Sequence, residues 1–243
     1  MNIAHYGNRQ ITYDIVRSNR KKTVAIHVGL DIVTIRAPQR IAEGKIHSIV
    51  QKKARWIIER QEKVNQENQI HPPKEFVHGE SFPFLGRQYL LEVTHSENGL
   101  YSKCYLMNGR IQVEVGKNLQ GKNAANAVKE ALAYWYQEHA ARMINERLPY
   151  FSRQLGKAPA AIRIKDQKHR WGSCSHTGVV RFNWKIIMAP LSVLDYLIVH
   201  ELCHLFRPDH SAAFWEKVQS IIPDYKKERD WLKNHAFIMN NFG

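Results

Sequence analysis

His200-Glu201-Leu202-Cys203-His204 sets two imidazoles four residues apart with a carboxylate beside the first. On a helix, positions i and i+4 share a face, so both rings can grip one Zn²⁺. Glu201 projects about 100° round the helix from His200, where a carboxylate reaches a metal-bound water rather than the metal itself. A third ligand is close at hand. Leu205-Phe206-Arg207-Pro208-Asp209 follows, and then His210. Pro208 cannot continue a helix, so the chain must turn just past the histidine face, and that turn can return His210 to the metal. The chemistry implied is hydrolysis: about one zinc-type ion per chain, water in the open position, and Glu201 as general base.

The flanking sequence supplies the helix. Asp195-Tyr196-Leu197-Ile198-Val199 runs straight into the motif, Pro190 precedes it, and Leu194, Ile198, Leu202 and Leu205 are spaced as a buried stripe. A His-Glu-His set on so apolar a helix would be costly to bury without a role. Asp195 is read as a cap for this helix, and Ser211 as the N-cap of a helix from Ala212 to about Ile222, stopped by Pro223. Upstream, Ala161-Ile162-Arg163-Ile164-Lys165 and Val179 to Ile187 read as strands flanking Arg170-Trp171-Gly172-Ser173-Cys174-Ser175 and a turn at His176-Thr177-Gly178. Arg170, Trp171 and Ser173 are candidate substrate contacts; Gly172 between them suggests backbone that something approaches closely. Trp171 and Trp184 fit a cleft wall or the core of the small sheet equally well. Cys203 reads as a small buried apolar residue, Glu216 as a solvated helix position, Tyr225 as a packed aromatic, and His169 and His176 as loop residues.

The first half is richer in strands. Val24, Ile26 and Val28 alternate, Gly29-Leu30-Asp31 offers a turn, and Val33, Ile35 and Ala37 alternate again. One helix is expected over 42–69, with Ile46, Ile49, Val50, Trp56, Ile57 and Val64 on its apolar face, and strands over 76–116. A second long helix is expected from Gly121 to about Leu148, its buried side marked by Ala124, Val128, Leu132, Trp135, His139 and Met143. The fold class is therefore α+β. A β-rich part with one long helix is expected over 1–121, and a part with the order helix, small sheet, metal helix, capping helix over 122–243, either as two parts or as one continuous domain.

Composition bounds the rest. Of 243 residues, 44% are hydrophobic, enough for one large domain or two small ones. No apolar run approaches about 18 residues, so no membrane span is expected. The first residues lack the apolar stretch of a secretory signal. Cys104, Cys174 and Cys203 are too few and too scattered for a disulfide framework, and a reducing cytoplasm is the simplest setting. The net charge of +14 favours anionic partners, with clusters at Arg17 to Lys22, Lys52 to Arg55, Arg163 to Arg170 and Lys226 to Arg229.

An ordered set of segments resembles one family. The set comprises Arg170-Trp171-Gly172-Ser173-Cys174-Ser175, Arg181-Phe182-Asn183-Trp184, Asp195 through His204, His210-Ser211, Phe214-Trp215 and Pro223-Asp224-Tyr225. With Arg36-Ala37-Pro38 and Trp56-Ile57, the chain resembles the YgjP-like zincin hydrolases over nearly its whole length. That family is related in core layout to the SprT-like and WLM proteases. The resemblance implies His200, His204 and His210 as metal ligands and Glu201 as general base. Cys203 stands where the family usually has a residue such as Ala, which leaves the site intact.

Three function classes fit these residues. The first is a zinc peptidase holding an extended peptide along the strand beside the metal helix. The second is a metal-dependent phosphohydrolase of nucleotides or similar anions. The third is a nucleic-acid-associated protein with a structural zinc, for which Glu201 has no use because structural sites are closed. Arg163, Lys165, Lys168 and Arg170 lining the metal cleft would favour phosphate; an open sheet edge would favour peptide.

Overall fold

The computed structural model describes residues 2–19, 23–29, 32–70, 72–97, 102–167 and 170–242. The chain divides into two compact units, Met1–Pro73 and Lys74–Gly243. The first begins with β1 (Asn2–Tyr6), β2 (Arg9–Ser18), β3 (Ala25–Val28) and β4 (Val33–Pro38), in sheet order β1-β2-β4-β3. The expected pairing is present, β3 running antiparallel to β4; Leu30 and Asp31 of the expected turn lie outside the described residues. Two helices follow, α1 (Glu43–Lys52) and α2 (Ala54–Ile70), where one was expected. The Lys53 N–H is shared between the Ile49 and Val50 carbonyls, which tightens the last turn and ends α1. Alternate strand residues Ile11, Tyr13, Val33 and Ile35 bury against Ile46, Val50, Ala54 and Ile57. Trp56, placed by the sequence on the apolar face, is 47% exposed.

The second unit opens with β5 (Ser81–Phe84), β6 (Arg87–Ser96), β7 (Lys103–Met107) and β8 (Arg110–Gly116), in order β5-β6-β8-β7. Helix α3 (Gly121–Leu155) packs on this sheet and continues past Leu148 through Pro149. Its buried residues Val128, Leu132, Trp135, Ala140, Ile144, Leu148 and Phe151 keep helical spacing to the end, so tertiary packing extends it beyond the expected stop. Gly156 ends it in the left-handed region (φ 73°), with its own N–H on Arg153 O and that of Lys157 on Ser152 O.

The small sheet follows, with β9 (Ala161–Lys165), β10 (Gly172–Cys174) and β11 (Val179–Asn183) in order β10-β11-β9. The expected strand to Ile187 stops at Asn183. Asn183 Oδ1 accepts from the Lys185 N–H at 3.1 Å and caps a buried 3₁₀ turn, Trp184–Met188. A short apolar run does not by itself tell strand from turn. The rest is helical: α4 (Leu191–Cys203), α5 (Ala212–Ile221), α6 (Tyr225–Asn234) and α7 (Ile238–Asn241). Pro190, not Asp195, stands at the N-cap of α4; Asp195 instead forms an ion pair with Arg147 of α3. Ser211 is the N-cap residue of α5, though its side chain makes no capping bond.

The expected division at 121/122 falls inside this second unit. Tyr136 of α3 donates its hydroxyl to Pro83 O of β5, the Leu85 N–H reaches Ile187 O, and both sheets share one core with α3 and α4. That core ends on Phe242, whose ring meets Phe76 at 5.3 Å and Trp184 at 5.0 Å. Among the described residues no helix is long and apolar enough to cross a membrane.

Candidate active site

Helix α4 is buried on almost every side, and Leu194, Ile198 and Leu202 of the expected stripe are fully covered. His200 and His204 emerge at its C-terminal end. The Phe206 and Arg207 N–H groups both return to Cys203 O, closing the helix into a turn that brings His210 back. One nitrogen from each of His200, His204 and His210 lies within 4.8 Å of the other two, and His200 Nε2 is 3.3 Å from His210 Nε2. Phe214 of α5 packs beneath all three rings, at 5.1, 4.6 and 4.9 Å from His200, His204 and His210. Trp215 stacks on His210 at 5.5 Å, and Tyr225 stacks on Trp215 at 5.1 Å.

His200 and His204 are set up as neutral nitrogen donors. His204 Nδ1 lies 3.0 Å from Arg207 O. A carbonyl only accepts, so Nδ1 carries the proton and the Nε2 lone pair is free. Burial, with lesser contributions from His204 and His210, pushes His200 down to about 3. Burial also lowers His204. Three ring nitrogens that converge within 4.8 Å suit a divalent cation such as zinc. The residues present therefore fit a divalent metal of the kind a metallopeptidase uses.

Glu201 is 3% exposed, and its Oε2 is buried without a hydrogen-bond partner among the described residues. Burial raises it to about 8, opposed by the positive charge of Arg170. The carboxylate lies against Gly172 of β10.

The pairing of β10 decides which groups face its free edge. Asn183 N–H donates to Trp171 O at 2.7 Å and Ser175 N–H donates to Val179 O at 3.0 Å. Residues 171, 173 and 175 thus turn their backbone toward β11. By the alternation of an antiparallel pair, the N–H and C=O of Gly172 and Cys174 point to the open edge.

The sequence candidates separate on this frame. Arg170 is exposed at the head of β10. Ser173 is half-buried, its backbone paired opposite Arg181 and its hydroxyl 3.5 Å from Gln167 Oε1. Trp171 is instead a core residue, 9% exposed, its indole donating to Leu232 O at 3.2 Å. Trp184 and Tyr225 are buried too, Cys203 is fully covered, and Glu216 and His176 are exposed. Lys168 and His169 lie outside the described residues. Arg163 and Lys165 stand on β9, at the far edge of the sheet from β10. Two contacts escaped the sequence reading. Tyr196, one turn before His200, puts its hydroxyl 3.4 Å from His200 Nδ1, and its i−4 spacing was the available signal. Phe214, four residues after His210, had the same kind of signal.

No curated protein matches the chain. A solved structure, the metallopeptidase zymogen of Pyrococcus abyssi abylysin, is similar over 38% of this chain and 93% of its own, at 22% identity and a TM-score of 0.36. The model of the YgjP-like metallopeptidase domain matches residues 22–235, and the chain belongs to that family.

Proposed function

We propose that the chain is a zinc peptidase in which His200, His204 and His210 hold the metal, Glu201 is the general base, and an extended peptide adds to the free edge of β10. The observation that carries this is the meeting of three converging histidine nitrogens with a buried carboxylate oxygen and a strand edge that are both unpartnered among the described residues. A bound zinc ion supplies Lewis acidity, acidifying a water and polarising the scissile carbonyl. Glu201 takes the proton of the attacking water and passes it to the leaving amine, a shuttle for which its buried carboxylate beside the histidine cluster is placed. The free N–H and C=O groups of Gly172 and Cys174 register the substrate backbone, and the exposed guanidinium of Arg170 holds a substrate carbonyl or carboxylate. Tyr196 and Arg207, through His200 Nδ1 and His204 Nδ1, keep the two rings turned inward.

The peptide reading is preferred to phosphate chemistry because, of the basic residues that would hold phosphate, Arg163 and Lys165 stand at the opposite sheet edge from β10, Lys168 lies outside the described residues, and Arg170 is left near Glu201. Two variants test the assignment together. His204→Ala should lose the metal, while Glu201→Gln should keep it and lose peptide hydrolysis by about 10²-fold or more. Equal metal content in wild type and His204→Ala, or undiminished hydrolysis in Glu201→Gln, would remove the reading.

A further inference from the structure

We infer that Gly172 is a positioning residue whose missing side chain is the slot that holds the Glu201 carboxylate under the edge of β10. The inference rests on the proposed role of Glu201 as base. A Cβ at Gly172 would lie 2.5 Å from Glu201 Oε1 and 2.9 Å from both Cδ and Cγ. Gly172 is not among the glycines with positive φ, so glycine is required here for room rather than for backbone conformation. Its strand partner Phe182 is fully buried, so a side chain at 172 would point to the same inner face. The Glu201 side chain occupies that place.

This contact does for the carboxylate what hydrogen bonds usually do. Glu201 Oε2 is buried with no partner among the described residues, and Arg170, the charge that acts on Glu201, is exposed. The bare backbone of β10 is the wall against which the side chain is packed. The same residue offers its N–H and C=O to the strand edge, so one glycine sets the base and the substrate backbone relative to each other.

An added methyl has to be accommodated by one partner. β10 is tied to β11, whereas the end of Glu201 can rotate. The overlap includes Cγ, so a small swing of the oxygens does not relieve it. Gly172→Ala should therefore be mild for stability and severe for turnover, because misplacing a reacting group by about 1 Å can cost about 10²-fold in rate. KM should hold within about twofold, since the methyl lies on the inner face and leaves the edge groups open.

The test uses the full chain loaded with zinc and fluorescein-labelled casein as probe, together with a crystal structure of Gly172→Ala. The expected result is unchanged zinc content, kcat lower by about 10²-fold, and Glu201 in a different rotamer. In a Glu201→Gln background the same change should cost less than about threefold, because the group it displaces no longer acts. A Glu201 carboxylate still in place in the variant's crystal structure would overturn the inference. So would turnover within about threefold of wild type, or the same fractional loss in the Glu201→Gln background. If the wild type cleaves no casein, the base assignment falls, while a displaced Glu201 in the crystal structure still supports the slot.

Discussion

Replacing Asp195 by asparagine isolates what one charge contributes to holding the histidine helix in place. Arg147 of α3 meets both carboxylate oxygens of Asp195 on α4 in two parallel hydrogen bonds, which raises the Arg147 pKa. The two side chains are 31% and 15% exposed. Two limits bracket the effect. Removing one member of a fully buried pair strands a charge at a cost of about 3–5 kcal/mol. A fully exposed pair contributes about 0–1 kcal/mol. Arg147 keeps nearly a third of its surface in water, so Asp195→Asn should cost about 1.5–2.5 kcal/mol. For a unit of this size that lowers Tm by about 3–10 °C. The measurement belongs in metal-free protein, because bound metal would add its own stabilisation by mass action. Five of the six tryptophans lie in the same unit and report its unfolding by fluorescence. A cycle with Arg147→Gln should give a coupling of about 1–2 kcal/mol. A coupling below about 0.5 kcal/mol would show that the pair is decoration on a junction held by its apolar contacts.

Three further outcomes follow from the site. Phe214→Ala removes the ring beneath all three histidines and should cost about 3–5 kcal/mol; its metal-release rate should rise as well, and unchanged release would mean that the rings do not depend on this floor. In metal-free protein, burial holds Glu201 at about 8 against an ordinary value of 4.5, so the folded state keeps an extra proton between those values. Stability should then fall as pH rises through that window, by up to about 1.4 kcal/mol per unit, and Glu201→Gln should remove this slope. Denaturation profiles that stay parallel for the two proteins would contradict the raised value. Cys203 is fully covered and burial pushes its thiol up to about 11. Cys203→Ala should leave activity within about twofold and alkylating reagents should not inhibit through this residue; inhibition that Cys203→Ala abolishes would reverse this.

The histidine cluster was legible because its logic is local. Positions 200, 201 and 204 need only a helix, and Pro208 announces the turn that returns His210. The strand edge was less legible. Arg170, Trp171 and Ser173 stand out as substrate contacts by side-chain chemistry. The groups that face the edge are instead the backbones of Gly172 and Cys174, fixed by the parity of pairing with β11, which no single strand reveals. Trp171 followed the same pattern, because its side is decided by a hydrogen bond to Leu232, sixty-one residues away. The close approach suspected at Gly172 proved to involve Glu201, a contact between two motifs that are separate in sequence. The unit boundary at Pro73 was hidden for a related reason: strand patterns over 76–116 do not say which helix covers that sheet.

Phe242 has a kinetic consequence. Its ring closes an aromatic cluster whose other members include Phe76, close to the first residue of the same unit. A contact between the two extremes of a long segment forms only after most of the intervening chain is ordered, and such non-local closure slows folding. During synthesis the cluster stays open until Phe242 has emerged, although the histidine-bearing helix is already outside. A chain shortened to stop before that residue should expose Phe76, Phe82 and Trp184 to chaperones and proteases, so this one ring decides whether the cluster is covered.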